Sequence, residues 1–181
     1  MTEALEQERD ERVVPDSAQQ TAAARTLLAR LDRMNWKLAT AESCTGGFLS
    51  SLLTDVEGLS HCLDRGYVCY SVAAKHDMLG IDPGLIDQHG AVSEPVARAL
   101  AENSLCLADA QLSLAITGFA GSSDPDEREG AGVAYIGVAV PDQSWVYRVD
   151  YGERPRRDIR NMVTLAALAI GLRTAKDQRG D

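Results

Sequence analysis

The run Glu42-Ser43-Cys44-Thr45-Gly46-Gly47 places two hydroxyls, a thiol and two glycines side by side. A serine hydroxyl is a weak nucleophile until a neighbouring base takes its proton. Glycines at the start of a helix leave backbone N–H groups able to hold an anion or a developing oxyanion. The run is therefore a candidate for acyl-transfer or anion chemistry. It is not a P-loop, because no lysine follows the glycines. Nor is it a nucleophile elbow, because no glycine stands two residues before Ser43. Tyr70 and Lys75 are candidate proton-handling groups, and Arg154, Arg156, Arg157 and Arg160 form a basic group that could reach a phosphate. Each feature has a plain alternative: a capped turn whose glycines only permit the backbone path, a strand-end tyrosine, a solvated helix lysine and a solvated helix start.

Metal chemistry has little support in the spacing. Cys44, Cys62, Cys69 and Cys106 form no C-x-x-C pair and no zinc-like grouping with His61, His76 or His89. The sequence thus predicts reduced, core-filling thiols, no metal site and no cofactor. The scattered histidines define no Ser–His–Asp arrangement.

The polar clusters can act together only if the elements around them converge. Ser17 to Gln20 reads as a capping box, with Ser17 as N-cap, ahead of Ala24, Leu27, Leu28, Leu31 and Met34 at helical spacing. Lys37–Ala41 predicts a strand, and Phe48, Leu49, Leu52 and Leu53 an amphipathic helix after the glycine turn. Tyr67–Tyr70 predicts a second strand, Val72–Leu79 a helix ended by Gly80, and Ser93 an N-cap for a helix reaching about Ala108. Leu112–Thr117 predicts a third strand and 118–130 a polar loop. Gly132–Val140 and Trp145–Tyr151 predict a hairpin, and Met162, Leu165, Leu168, Ala169 and Leu172 a stripe on a final helix. Helices between the early strands imply parallel pairing. The expected fold is an α/β three-layer sandwich on a mixed, mostly parallel sheet with a late antiparallel hairpin. The clusters at Glu42–Gly47, Tyr70–Lys75 and Thr117–Gly121 each follow a predicted strand, where open α/β sheets bind ligands.

Length and composition narrow the field further. The 181 residues are 45% hydrophobic and 25% charged, with a net charge of −9. That suits one globular domain and disfavours a general grip on nucleic acid or anionic membrane. Residues 1–16 are acidic and polar and read as a mobile tail, 17–176 as a single domain and 177–181 as a second tail. No apolar run approaches a membrane span and the start is unlike a signal peptide, so the expected location is cytoplasmic. The sequence is compatible with a homo-oligomer and does not decide it.

At these clusters the chain resembles the CinA C-terminal domain family, which includes nicotinamide mononucleotide amidases. The block Thr40-Ala41-Glu42-Ser43-Cys44-Thr45-Gly46-Gly47 reads as that family's signature. Tyr70-Ser71 with Lys75, Gly90-Ala91-Val92-Ser93-Glu94, Thr117-Gly118 with Ala120-Gly121, and Gly132 follow in order over about residues 20–175. The resemblance implies a three-layer α/β/α fold and hydrolysis of the carboxamide of nicotinamide mononucleotide, a step of pyridine nucleotide salvage in NAD metabolism. It implies Ser43 as nucleophile, with Tyr70, Lys75 and Thr117 in the same centre. Either Lys75 or Tyr70 could be the base, or Tyr70 a relay between Lys75 and Ser43. Cys44, Thr45, Gly46 and Gly47 would supply oxyanion donors. Thr117, Gly118, Ala120 and Gly121 would contact substrate, and Arg156 and Arg160 its phosphate. Longer relatives carry an N-terminal domain with nucleotide pyrophosphatase activity, for which this length leaves no room.

Two departures stand out. Where relatives continue with Pro-Gly-Gly, this chain has Ser122-Ser123-Asp124-Pro125-Asp126-Glu127-Arg128-Glu129. Arg156, Ile159 and Arg160 keep the family spacing, but Gly152 sits two residues too far back. The acidic stretch motivates an alternative reading, a non-catalytic or differently specific nucleotide-binding module. A thiol enzyme built on Cys44 is a third reading.

Overall fold

The computed structural model describes residues 14–121 and 128–178. Most of the expected N-terminal tail, the acidic residues Asp124, Asp126 and Glu127, and residues 179–181 of the expected C-terminal tail lie outside that range. In chain order the elements are α1 (Ser17–Met34), β1 (Leu38–Glu42), α2 (Phe48–Thr54), a short 3-10 turn (Ser60–Cys62), β2 (Leu63–Val68) and α3 (Val72–Leu79). They continue with α4 (Pro83–His89), α5 (Glu94–Cys106), β3 (Leu112–Gly118), β4 (Val133–Val140), β5 (Gln143–Asp150) and α6 (Arg156–Asp177).

The five strands form one sheet in the order β2-β1-β3-β4-β5. β1 pairs in parallel with β2 and β3, and the β4–β5 hairpin joins β3 antiparallel. Parallel and antiparallel pairings are thus equal in number, because the hairpin adds two ladders rather than one. β1 is buried along its whole length, as a strand covered on both faces must be. Strand alternation sends Leu38, Leu112, Leu114, Ile116, Ile136 and Val138 into a core shared with α1, α2 and α6. Ala41, Ala115 and Ala139 face α3, α4 and α5 in a second, smaller core. These are the expected three layers. The chain leaves β1 toward β2 on one side, then returns past β1 to β3 on the other. The crevice at the carboxyl ends of β1 and β3 is therefore a topological switch point.

Several boundaries differ from the sequence reading, for local reasons. Asp16, not Ser17, caps α1: its carboxylate accepts the Gln19 N–H at 2.8 Å, and Gln19 returns a bond to the Asp16 N–H at 3.0 Å. Gln20 is instead buried, donating to the Asn161 carbonyl. β2 begins four residues earlier than expected, since pairing with β1 overrides the polar look of Leu63–Gly66. Helix α4 follows an Asp82 cap and Pro83 that the sequence reading left unassigned. Ser93 occupies the N-cap position of α5, but its hydroxyl donates backwards to the Gly90 carbonyl. The hairpin turn is only Pro141-Asp142, with Asp142 at φ 67° and Gln143 already paired to Val140. On α6, Leu165, Ala169 and Leu172 are only partly buried. The covered side includes Ile159, Val163, Ala167, Ile170 and Gly171, because this helix is wedged between α1 and the sheet. Among the described residues no helix is long and apolar enough to cross a membrane.

Candidate active site

Ser43 is the first residue past β1, fixed by its N–H to the Ile116 carbonyl of β3 at 2.9 Å. Alternation from Ala41 turns it toward the α3–α5 side of the sheet. Lys75, in the second turn of α3, reaches it from that side. The Lys75 ammonium nitrogen lies 3.2 Å from Ser43 Oγ, 2.9 Å from the Cys69 carbonyl and 3.4 Å from the Tyr70 carbonyl. At 1% exposure Lys75 is among the most buried side chains of the molecule. Burial lowers its pKa from the ordinary lysine value, offset in part by the nearby Cys69 and Cys44 thiols. Among the described residues no carboxylate bonds to it. A buried lysine held against a serine without an acidic partner has the placement that a general base requires.

The start of α2 differs from expectation. Glu42 points to the opposite face from Ser43, and its buried carboxylate accepts the N–H groups of Leu49 and Ser50 and the Ser50 hydroxyl, at 2.6–3.0 Å. The N–H groups there are thus committed internally and are not an open anion cradle. Gly46 N–H is also spent, on the Ser43 carbonyl at 3.0 Å. Of the turn's N–H groups, those of Cys44 and Thr45, next to the Ser43 hydroxyl, are the better oxyanion candidates. Gly46 and Gly47 adopt φ of 60° and 89°, where other residues are strained, so they shape the turn rather than bind through it. Cys44 faces the core, and burial pushes its thiol up to about 11. A thiol so buried and so raised is a poor nucleophile at neutral pH, which weighs against the thiol-enzyme reading.

The tyrosine is not a relay. Tyr70 is largely exposed, and its hydroxyl accepts a bond from Arg156 Nη2 at 3.1 Å, while Lys75 meets Ser43 directly. Thr117 does not hold substrate through its hydroxyl either. It is fully buried and donates to the Ala91 carbonyl at 2.8 Å, tying the α4–α5 connection to β3. Gly118 permits close passage of β4, since a side chain there would strike Ala134, and Ala120 is core. Gly121 alone of that cluster faces the site: a Cβ built on it would sit 3.4 Å from Arg156 Nη1.

The arginines divide. Arg154 binds the Tyr151 carbonyl and Arg157 is exposed. Arg156 and Arg160, one turn apart on α6, lean over the Ser43–Gly47 turn. Arg160 Nη2 donates to the Thr45 carbonyl at 2.5 Å and its guanidinium lies 6.0 Å from the Phe48 ring centre. Arg160 Nε and Thr45 Oγ1 are buried without a hydrogen-bond partner. Such orphans call for a ligand or ordered water. Glu42 stands in the candidate run, but its role as the anchor of the turn had no counterpart among the sequence expectations. Its only signal was an acidic residue ending an otherwise apolar strand.

The expectation of no metal-like grouping needs one correction, away from this site: Asp32, His61 and Cys62 bring their ligand atoms within 4.8 Å of one another. Asp32 lies 29 positions before His61, so no local motif could reveal the trio.

Comparison with known proteins bears on the family and the fold. The family model for the CinA C-terminal domain matches residues 20–174. A putative competence-damage inducible protein of Caldanaerobacter subterraneus subsp. tengcongensis is 41% identical over 134 residues, covering 74% of this chain and 32% of that protein. A CinA-like protein of Mycobacterium marinum is 44% identical over 146 residues, covering 80% of this chain and 34% of that one. The chain thus spans about a third of the length of the curated relatives it matches. The crystal structure of competence/damage inducible protein CihA from Agrobacterium tumefaciens superposes with a TM-score of 0.81 at 30% identity, over 87% of this chain and 95% of that one. The family model covers most of the chain and the solved structure shares its fold: the chain belongs to the CinA C-terminal domain family.

Proposed function

We propose that the chain is a serine amidohydrolase that deamidates nicotinamide mononucleotide to nicotinate mononucleotide and ammonia, with Ser43 as nucleophile and Lys75 as base. The observation that carries this reading is the buried Lys75 amine 3.2 Å from Ser43 Oγ. A neutral amine has two N–H donors and one lone pair. The Cys69 and Tyr70 carbonyls take the two donors, leaving the lone pair to accept the Ser43 O–H. Ser43 Oγ attacks the carboxamide carbon as its proton passes to Lys75 Nζ. The tetrahedral oxyanion is held by the Cys44 and Thr45 N–H groups. Lys75 then gives that proton to the departing nitrogen, ammonia leaves and an ester on Ser43 remains. Water, deprotonated by Lys75, cleaves the ester and restores the serine. Arg156 and Arg160 bind the phosphate, and Gly121 leaves room beside Arg156. Each proton transfer of the proposed reaction runs between Ser43, Lys75, substrate and water, so it is written as metal-independent.

The test is direct. The purified chain incubated with nicotinamide mononucleotide should release ammonia and nicotinate mononucleotide in equal amounts. Ser43→Ala should lower turnover by about a thousandfold or more while still binding the nucleotide. If the wild-type chain binds the nucleotide without releasing ammonia, the amidase reading fails. The acidic 124–129 stretch would then favour a nucleotide-binding module of different specificity.

A further inference from the structure

We propose that Asp32, His61 and Cys62 form a binding site for one divalent transition-metal ion, zinc by the chemistry of its ligands. The site is independent of the proposed amidase. Asp32 lies in the last turn of α1, and His61 and Cys62 form the 3-10 turn that leads into β2. His61 Nε2 is 2.9 Å from Asp32 Oδ1 and 3.6 Å from Cys62 Sγ. A tetrahedral zinc with Zn–S of about 2.3 Å and Zn–N of about 2.0–2.1 Å would separate sulfur from nitrogen by about 3.6 Å. The same geometry separates nitrogen from carboxylate oxygen by about 3.3 Å, so the His61–Asp32 edge need open by only about 0.4 Å. His61 is exposed, and its ring can make that adjustment.

The surroundings suit a cation with an open coordination position. Cys62 is 1% exposed, yet it lines a cleft of about 310 Å³ together with Asp32, Asn35, Trp36, Lys37, His61, Asp109 and Gln111. Across the cleft Lys37 and Asp109 neutralise each other at 2.7 Å. The Asp32 carboxylate and the negative end of the 18-residue helix α1 lie at the three ligands, with Arg33 the basic residue of that last turn. Cys62 Sγ rests 3.7 Å from the Leu28 carbonyl. An incoming metal ion supplies positive charge. The Sγ–H bond breaks as the Sγ–metal bond forms, and the proton leaves to solvent. One imidazole, one carboxylate and one thiolate form a donor set that favours zinc over magnesium or calcium. The site lies beyond the amino end of β1 and Ser43 beyond its carboxyl end, about 17 Å along a five-residue strand.

The full chain, stripped with chelator, should take up one equivalent of Zn2+ saturably in calorimetry. Co2+ in its place should give a near-ultraviolet thiolate-to-cobalt band and intense visible bands of a four-coordinate ion. His61→Ala alters an exposed side chain and should keep the fold while weakening Zn2+ binding at least tenfold. Cys62→Ser should abolish the near-ultraviolet band, whereas Cys106→Ser, at an exposed thiol elsewhere, should not. Zn2+ should raise the Tm of the wild type and leave that of His61→Ala unchanged, since the ion ties the end of α1 to the start of β2. Absence of stoichiometric uptake overturns the site. So does uptake, or a Tm rise, that His61→Ala leaves intact.

Discussion

A protonated amine cannot accept a proton, so the charge of Lys75 decides whether Ser43 has a base. Burial depresses the folded-state pKa below the ordinary 10.5, while the unfolded chain regains that value. Between the two values the unfolded state binds more protons, and stability rises with pH across that window. Below the folded value both states are protonated and that contribution stays lost. Lys75→Met, which cannot titrate, should abolish ammonia release. By urea denaturation the wild type should gain stability relative to Lys75→Met as pH rises toward 10.5. A difference between the two proteins that stays flat with pH would mean that Lys75 is not perturbed by folding. Wild-type activity should also decline as pH falls through the folded value of Lys75. At this scale Ser43 and Lys75 were candidates by residue type and by their place after predicted strands, and the fold brings them to 3.2 Å. The burial of Lys75 was not legible, because a lysine on a short helix reads as solvated until α5 is packed beside it. Thr117 misled for the opposite reason: a hydroxyl at a strand end reads as free, and the Ala91 carbonyl that occupies it arrives from 26 residues away.

The elements are what aim these groups, and α2 is the critical one. It is seven residues long, too short to persist alone, and Glu42 holds its start through two backbone N–H groups. Glu42→Gln keeps the shape but presents an amide NH2 where one acceptor is needed. Losing one hydrogen bond to a buried charged acceptor should cost about 1.5–3 kcal/mol in urea denaturation. Turnover should fall as well, because the Ser43–Gly47 turn hangs between β1 and this helix. An unchanged midpoint would show that the carboxylate does not anchor α2. Helix α3 and strand β3 were readable from local periodicity and their capping residues, as was the existence of a hairpin. The start of β2 was not, since a strand recruited by pairing with β1 carries no apolar signal of its own over Leu63–Gly66. Nor was the covered side of α6, a helix enclosed so broadly that a single stripe on it is ambiguous.

The molecule as a whole is acidic, with a net charge of −9, yet the proposed ligand is an anion. Arg156 and Arg160 supply a local positive field at the carboxyl end of the sheet. The stretch that follows Gly121 in the sequence, with Asp124, Asp126 and Glu127, carries the opposite charge. Asp124 follows three positions after Gly121 in the sequence, and the Gly121 Cβ position adjoins Arg156. A carboxylate about 10 Å from a phosphate dianion repels it by about 0.8 kcal/mol in water, nearly a fourfold change in affinity. The effect is screened over about 10 Å at 0.1 M salt. Glu129, by contrast, is neutralised by Arg148 at 2.7 Å and bonded by the Tyr135 hydroxyl, so it should contribute little. Asp124→Asn should therefore lower KM for nicotinamide mononucleotide two- to fourfold at low ionic strength, roughly as that Coulomb energy sets. It should leave kcat unchanged, and the advantage should vanish as salt is raised. Glu129→Gln should not reproduce it. Equal KM values for wild type and Asp124→Asn at low salt would mean that the Asp124 carboxylate and the bound phosphate do not interact, and the loop charge would drop out of the account of substrate affinity.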